Sequence, residues 1–250
     1  GGVEKLLAAG ANRGIRAYNG YSPLEIAANN GHATIVKAFL EEDSSAVDAT
    51  HWSGWTALHC CADEIEGEIE GKPVVDNGDA VRVLLEAGAD VNAKTTCNGC
   101  PTPLRIAVDR RIASRGTICA LLEGGADFVS RDNEGQTPLH VACLWSSVAA
   151  VELLLRWGAD EKLMNNDGDT PADVIGVWEE KGNNDAGLEV DNQRIRRMLA
   201  SAPADRSWRR RGWLVLSRSC PTRVQIGNCS SSGSCAGSSK GCSAKVARVS

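Results

Sequence analysis

Aromatic and thioether side chains are scarce in this chain of 250 residues: two Phe, two Tyr, seven Trp and two Met. A core of large rings is therefore excluded. With 42% apolar residues the packing falls to Ala, Leu, Val and Ile, which suits thin helical layers pressed close together. No apolar run reaches the roughly eighteen residues that a membrane-spanning helix takes, so no transmembrane segment is expected. The chain lacks an initiating Met and opens Gly1-Gly2-Val3 in the middle of a periodic unit. The natural N-terminus is expected to lie upstream, and no targeting signal is claimed or excluded. Ten Cys are present, but their spacing fits no small secreted disulfide framework. They read as reduced thiols in an intracellular protein, cytoplasmic or nuclear.

Charge is unevenly placed. From Pro203 onward nine Lys or Arg face one acid, Asp205, for a net of +8. The first 202 residues hold 18 basic and 31 acidic side chains, a net of −13. An acidic body thus carries a basic tail.

The stretch from Asp132 to Asp160, DNEGQTPLHVACLWSSVAAVELLLRWGAD, holds the unit that the body repeats. Gly135 permits a tight turn, Thr137 can cap a helix, and Pro138 stands at the first helical position, where no amide donor is needed. Leu139, Val141 and Ala142 make one apolar face. Val151, Leu154 and Leu155 make the stripe of a second helix, and Gly158 ends it. The second-helix stripe recurs at Val3/Leu6/Leu7, Val36/Phe39/Leu40, Val81/Leu84/Leu85, Ile118/Leu121/Leu122 and Ile195/Met198/Leu199. The first-helix signature recurs as SPLEIA at Ser22, TALHCC at Thr56, TPLRIA at Thr102 and TPADVI at Thr170. Counting the copy at Thr137, successive starts are 34, 46, 35 and 33 residues apart.

This pattern closely resembles the ankyrin repeat, whose period is about 33 residues. The resemblance implies an all-α ankyrin-repeat solenoid over residues 1–202, of about five and a half helix–turn–helix layers with hairpin tips, acting as a protein-protein interaction module or scaffold. Two insertions interrupt it. Asp63 to Gly78 carries DEIEGEIEGKPVVDNG, so that 32 residues separate Thr56 from Gly88 where the intact unit, Thr137 to Gly158, has 21. A second surplus is expected over Glu179 to Val190. Asp43 stands where a Gly usually follows the second helix. Past Ser201 the periodicity stops, and residues 203–250, rich in Ser, Gly and Cys, read as a disordered tail that resembles no known family.

No catalytic set is expected. The resemblance makes His59 and His140 bonding groups to the neighbouring hairpin. A lone Cys97-x-x-Cys100 lacks the second pair that a zinc site takes. No cofactor and no metal are therefore expected, and a thiol- or metal-dependent enzyme is the remotest reading. In ankyrin proteins the hairpin tips and inner-helix ends face the groove that holds partners. Carried over, those places are Tyr18, Tyr21, Trp52, Trp55, Glu134, Gln136, Leu144, Trp145, Asp167 and Asp169. The expected partner is another protein, with an apolar anchor and basic flanks, bound by a monomer. The alternative is an electrostatic tether, in which Arg206, Arg209, Arg210 and Arg211 of the tail bind nucleic acid or anionic membrane while the repeats carry cargo.

Overall fold

In the computed structural model the residues described are 9–18, 20–51, 53–63, 76–96, 101–109, 114–177 and 186–202, with Gly2, Lys5 and Gly99. The acidic run 64–75, Cys97, Cys100, Trp52, most of the second insertion, the first stripe (Val3, Leu6, Leu7) and the tail with Arg206 to Arg211 lie outside them.

Each signature opens a short helix: α1 (Pro23–Asn29), α3 (Ala57–Ala62), α5 (Pro103–Val108) and α7 (Pro138–Leu144). Each stripe forms a longer one: α2 (Ala33–Glu42), α4 (Gly78–Glu86), α6 (Arg115–Glu123), α8 (Val148–Trp157) and α9 (Ala186–Ser201). The chain stacks them in two rows. In the inner row α1, α3, α5 and α7 pack in succession, and in the outer row α2, α4, α6, α8 and α9 do the same. No strand occurs among the described residues. The fold is all-α, a solenoid of helix pairs.

One core runs along the stack. Leu58, Leu104 and Leu139 of the inner row and Val81, Leu84, Ile118, Leu121, Val151 and Leu154 of the outer row are all at 0% exposure. Ile195 of α9 closes the row, also fully buried. At about 1.5–3 kcal/mol per fully buried side chain of this size, these stripes carry most of the favourable free energy. Gly158 ends α8 at φ 98°, the left-handed turn anticipated for it.

The fifth signature departs from the sequence reading. The TPADVI segment forms no α-helix: residues 171–177 are turns. Gly176 is left-handed at φ 72° and gives its N–H to the Cys143 carbonyl at 3.2 Å. Ala172 stands exposed where the intact unit buries Leu139, so little apolar burial holds that segment helical. Within the second surplus, expected over Glu179 to Val190, residues 186–190 form the start of α9, and 179–185 lie outside the described residues. After α2, Asp43 serves as C-cap, and a 3-10 turn at Ser44–Ala46 follows where a Gly would usually stand.

Candidate functional site

The fourth place of each signature is the third residue of its helix. From there the side chain can reach back to the capping residue's backbone N–H. Glu25 Oε2 accepts the Ser22 N–H at 2.6 Å. His59 Nδ1 accepts that of Thr56 at 3.1 Å, and His140 Nδ1 that of Thr137 at 3.2 Å. Each imidazole then turns Nε2 to the next hairpin, at 3.2 Å from the Pro101 carbonyl for His59 and 3.2 Å from that of Asp169 for His140. A ring that accepts at Nδ1 and donates at Nε2 is neutral. Burial, the largest cause, lowers the His59 pKa to about 4 and lowers that of His140 as well. The Cys60 and Cys143 thiols are pushed far up, burial again leading. These imidazoles and thiols are held in their neutral forms and serve the stack.

Arg105 occupies the same fourth place in the third unit and has no lone pair to offer an N–H. It faces outward. Its guanidinium pairs with Asp109 at 3.0 Å and Asp132 at 3.5 Å. The Trp145 indole N–H donates to the other Asp109 oxygen. Trp55, Asp63, Pro101, Arg105, Asp109 and Asp132 line a cleft of about 290 Å³ on the inner-helix face. Ile106 adds apolar wall. Asp63 and Asp109 are the C-caps of α3 and α5.

Above the cleft an aromatic ladder crosses the hairpin tips. Tyr21 meets His51 edge-on at 5.1 Å, His51 stacks on Trp55 at 6.1 Å, and Trp55 tilts against His59 at 6.1 Å. Tyr21 and Trp55 are thus half-buried and packed against the core. Tyr18, in contrast, is fully exposed. Glu134, Asp167 and Asp169 are exposed on the later hairpins, and Gln136 is half-buried with its amide donating to Glu134 at 2.8 Å. Leu144 does not face solvent: it is buried at 9% exposure. Trp145 is half-buried beside it, as the C-cap of α7. The surface therefore brings Trp55 and Trp145 together around Arg105 and the acids, while Tyr18 stands apart from that network.

Sequence reasoning missed Asp63 as a groove residue, and Arg105, Asp109 and Asp132 altogether. A signal existed. Asp63 and Asp109 each fall seven residues after a signature Thr, the place that Leu144 holds in the fourth unit. Arg105 is the outlier in a column otherwise able to accept an N–H.

A family model described as ankyrin repeats in three copies matches residues 1–95 and again 73–167. The chain belongs to the ankyrin-repeat family. The NF-kappa-B p105 subunit of Gallus gallus is 34% identical to it over 142 residues, which is 56% of this chain and 13% of that protein. Ankyrin repeat and SOCS box protein 11 of Danio rerio is 37% identical over 118 residues, 47% of this chain and 34% of the relative. The E3 ubiquitin-protein ligase KEG of Arabidopsis thaliana is 34% identical over 100 residues, 40% of this chain and 5% of the relative. The chain spans about a third or less of the length of these curated relatives. Ankyrin repeats are protein-protein interaction modules and in general non-catalytic ones. Among the described residues of this ankyrin protein no helix is long and apolar enough to cross a membrane.

Proposed function

We propose that this ankyrin protein recognises a partner protein on its inner-helix and hairpin face, around the cleft of Trp55, Arg105, Asp109 and Asp132, and acts as a scaffold with no chemistry of its own. The observation that carries the reading is the mixed character of that cleft, a Trp wall beside three carboxylates and one guanidinium. Such a surface suits a partner with an apolar anchor and basic flanks. Buried aromatics supply affinity at interfaces, and charges supply orientation and rate. Tyr18, Glu134, Asp167 and Asp169 extend the surface along the tips. The protein works as a single chain inside the cell, where Cys60, Cys119 and Cys143 keep free thiols.

Proximity crosslinking of the intact protein against Trp55→Ala/Glu134→Lys tests the assignment. Loss of a crosslinked partner at unchanged helicity is the expected result. The same partners at the same yield would place recognition elsewhere. Salt separates this reading from a tether that uses Arg206 to Arg211. Binding of the tail to phosphate falls steeply between about 50 and 200 mM salt, whereas apolar burial responds weakly.

A further inference from the structure

The fifth hairpin, residues 159–169, presents an open edge. Earlier hairpins show what such an edge receives. Their tip glycines are left-handed, at φ 73° for Gly54 and 75° for Gly135. The carbonyl just before each tip accepts a backbone N–H of the next hairpin, Ser53 from Thr96 at 3.0 Å and Glu134 from Asn166 at 2.9 Å. The bare face of the glycine admits that close approach. A Cβ on Gly54 would stand 2.8 Å from the Thr96 nitrogen, and one on Gly135 2.9 Å from that of Asn166. Gly168 is left-handed too, at φ 88°, but a Cβ there would meet nothing within 4 Å. Asp167 stands where Ser53 and Glu134 stand, and among the described residues no backbone N–H reaches its carbonyl.

One spacing of the repeat continues past Ser201. Gly20, Gly135 and Gly168 each stand 13 residues after the last Leu of the preceding stripe, Leu7, Leu122 and Leu155, and Gly54 and Gly99 stand 14 after Leu40 and Leu85. Counting 13 from Leu199 gives Gly212, with Trp213 next, as Tyr21 follows Gly20 and Trp55 follows Gly54. Pro203 comes just after the end of α9 at Ser201, where it forbids more helix. We propose that residues 203–213 lie against the fifth hairpin as a sixth, with Gly212 as its left-handed tip. Arg210, two before that tip as Asn166 is before Gly168, then gives its N–H to the Asp167 carbonyl. Charge favours the contact. Residues 203–213 carry four Arg against Asp205, a net of +3, and residues 159–169 carry Asp160, Glu161, Asp167 and Asp169 against Lys162, a net of −3. The stack ends there. Leu214 replaces the capping Thr, and α9 exposes Arg194 and Arg197 where α8 buries Ala150 and Leu153, a polar outer face that takes no further helix pair. The sixth tip gives a basic end to the row of tips and holds its arginines in place. The contact involves no partner, so its absence would leave recognition on the inner face standing.

Limited tryptic digestion of the full chain reads the contact. Initial cleavage after Arg206 and Arg209 is followed by intact mass, with Arg223 as a reference site in the same tail. A left-handed position tolerates Asn but not a β-branched residue. Gly212→Val should therefore make cleavage after Arg206 and Arg209 about fivefold faster, because proteolysis follows the population of the open form, with Arg223 unchanged. Gly212→Asn should stay close to the slow rate of the unaltered chain, and so should Gly227→Val further along the tail. Both positions lie beyond the last helix, and unchanged circular dichroism confirms that the body stays folded. Equal rates in the unaltered and Gly212→Val chains would overturn the proposal, and so would equal acceleration by Val and Asn. Protection that grows with protein concentration would also overturn it, by assigning the open edge to the tail of a second copy.

Discussion

His59 and His140 each tie two backbone groups together through one neutral ring, so protonation must break one of those bonds. The sign follows from the lowered pKa. Between the ordinary value of 6.5 and about 4 the unfolded chain takes up a proton at His59 and the folded chain does not. The stabilisation is therefore complete above about pH 6.5 and is lost progressively as pH falls towards 4. The slope from one such group is at most about 1.4 kcal/mol per pH unit, and His140, lowered in the same direction, adds to it. Urea midpoints measured from pH 7 to 4 should fall accordingly. His59→Gln keeps an acceptor for the Thr56 N–H but cannot titrate, so it should flatten the curve while costing some stability at pH 7. An unchanged slope in that variant would remove His59 from the account. Trp55 has a double duty at this scale, with one part of the ring in the ladder of Tyr21 and His51 and another lining the cleft. For that reason Trp55→Ala must be scored for helicity before any loss of binding is attributed to contact.

At the scale of elements, each helix pair is a layer held by what it buries. Leu139 of α7 and Leu154 of α8 are fully buried. Truncating either to Ala should cost about 2–5 kcal/mol, the range for a cavity left in a packed core. Deleting residues 66–75 should cost far less, because α3 and α4 bury their stripes without that run. Chemical denaturation compares the three proteins, and a deletion as damaging as the Leu truncations would show that the insertion belongs to the core. The last layer is secured differently. Asn192 of α9 accepts from Ser146 at 2.5 Å across a buried contact. The left-handed Gly176 approaches so closely that an added Cβ would stand 2.8 Å from Asn192 Nδ2. A polar latch thus does for α9 part of what an inner helix does for the other layers, since residues 171–177 form turns there.

Across the whole molecule, stability is a sum over neighbours, and damage to one layer is felt mainly by the two beside it. Among the described residues no group of three His, Cys, Asp or Glu is placed to hold a metal ion. The purified protein should bind no stoichiometric zinc and should keep its thermal midpoint when reductant is added. About one zinc per chain by elemental analysis would contradict this and direct attention first to Cys97 and Cys100. The recognition proposed above would also be a property of this scale, because the cleft draws on the second, third and fourth units together.

The layers themselves were legible in the residues. Ser or Thr caps, a Pro at the first helical position and stripes such as Val151, Leu154 and Leu155 act within one or two turns of chain, so local chemistry determines where those helices lie. Physical closeness between layers is not local. Trp55, Arg105 and Asp132 are separated by 50 and 27 positions, and only stacking places them around one cleft. The same limit explains Leu144. Helices α3 and α5 end six residues in, with Asp63 and Asp109 as caps, whereas α7 runs one residue longer. One residue turns a helix by about 100°, which buries Leu144 and makes Trp145 the cap, with its indole N–H on Asp109. Where the repeat is followed faithfully, the sequence determined the structure residue by residue. Which side chains face solvent was decided by helix length and stacking, because exposure depends on neighbours that the chain supplies from far away.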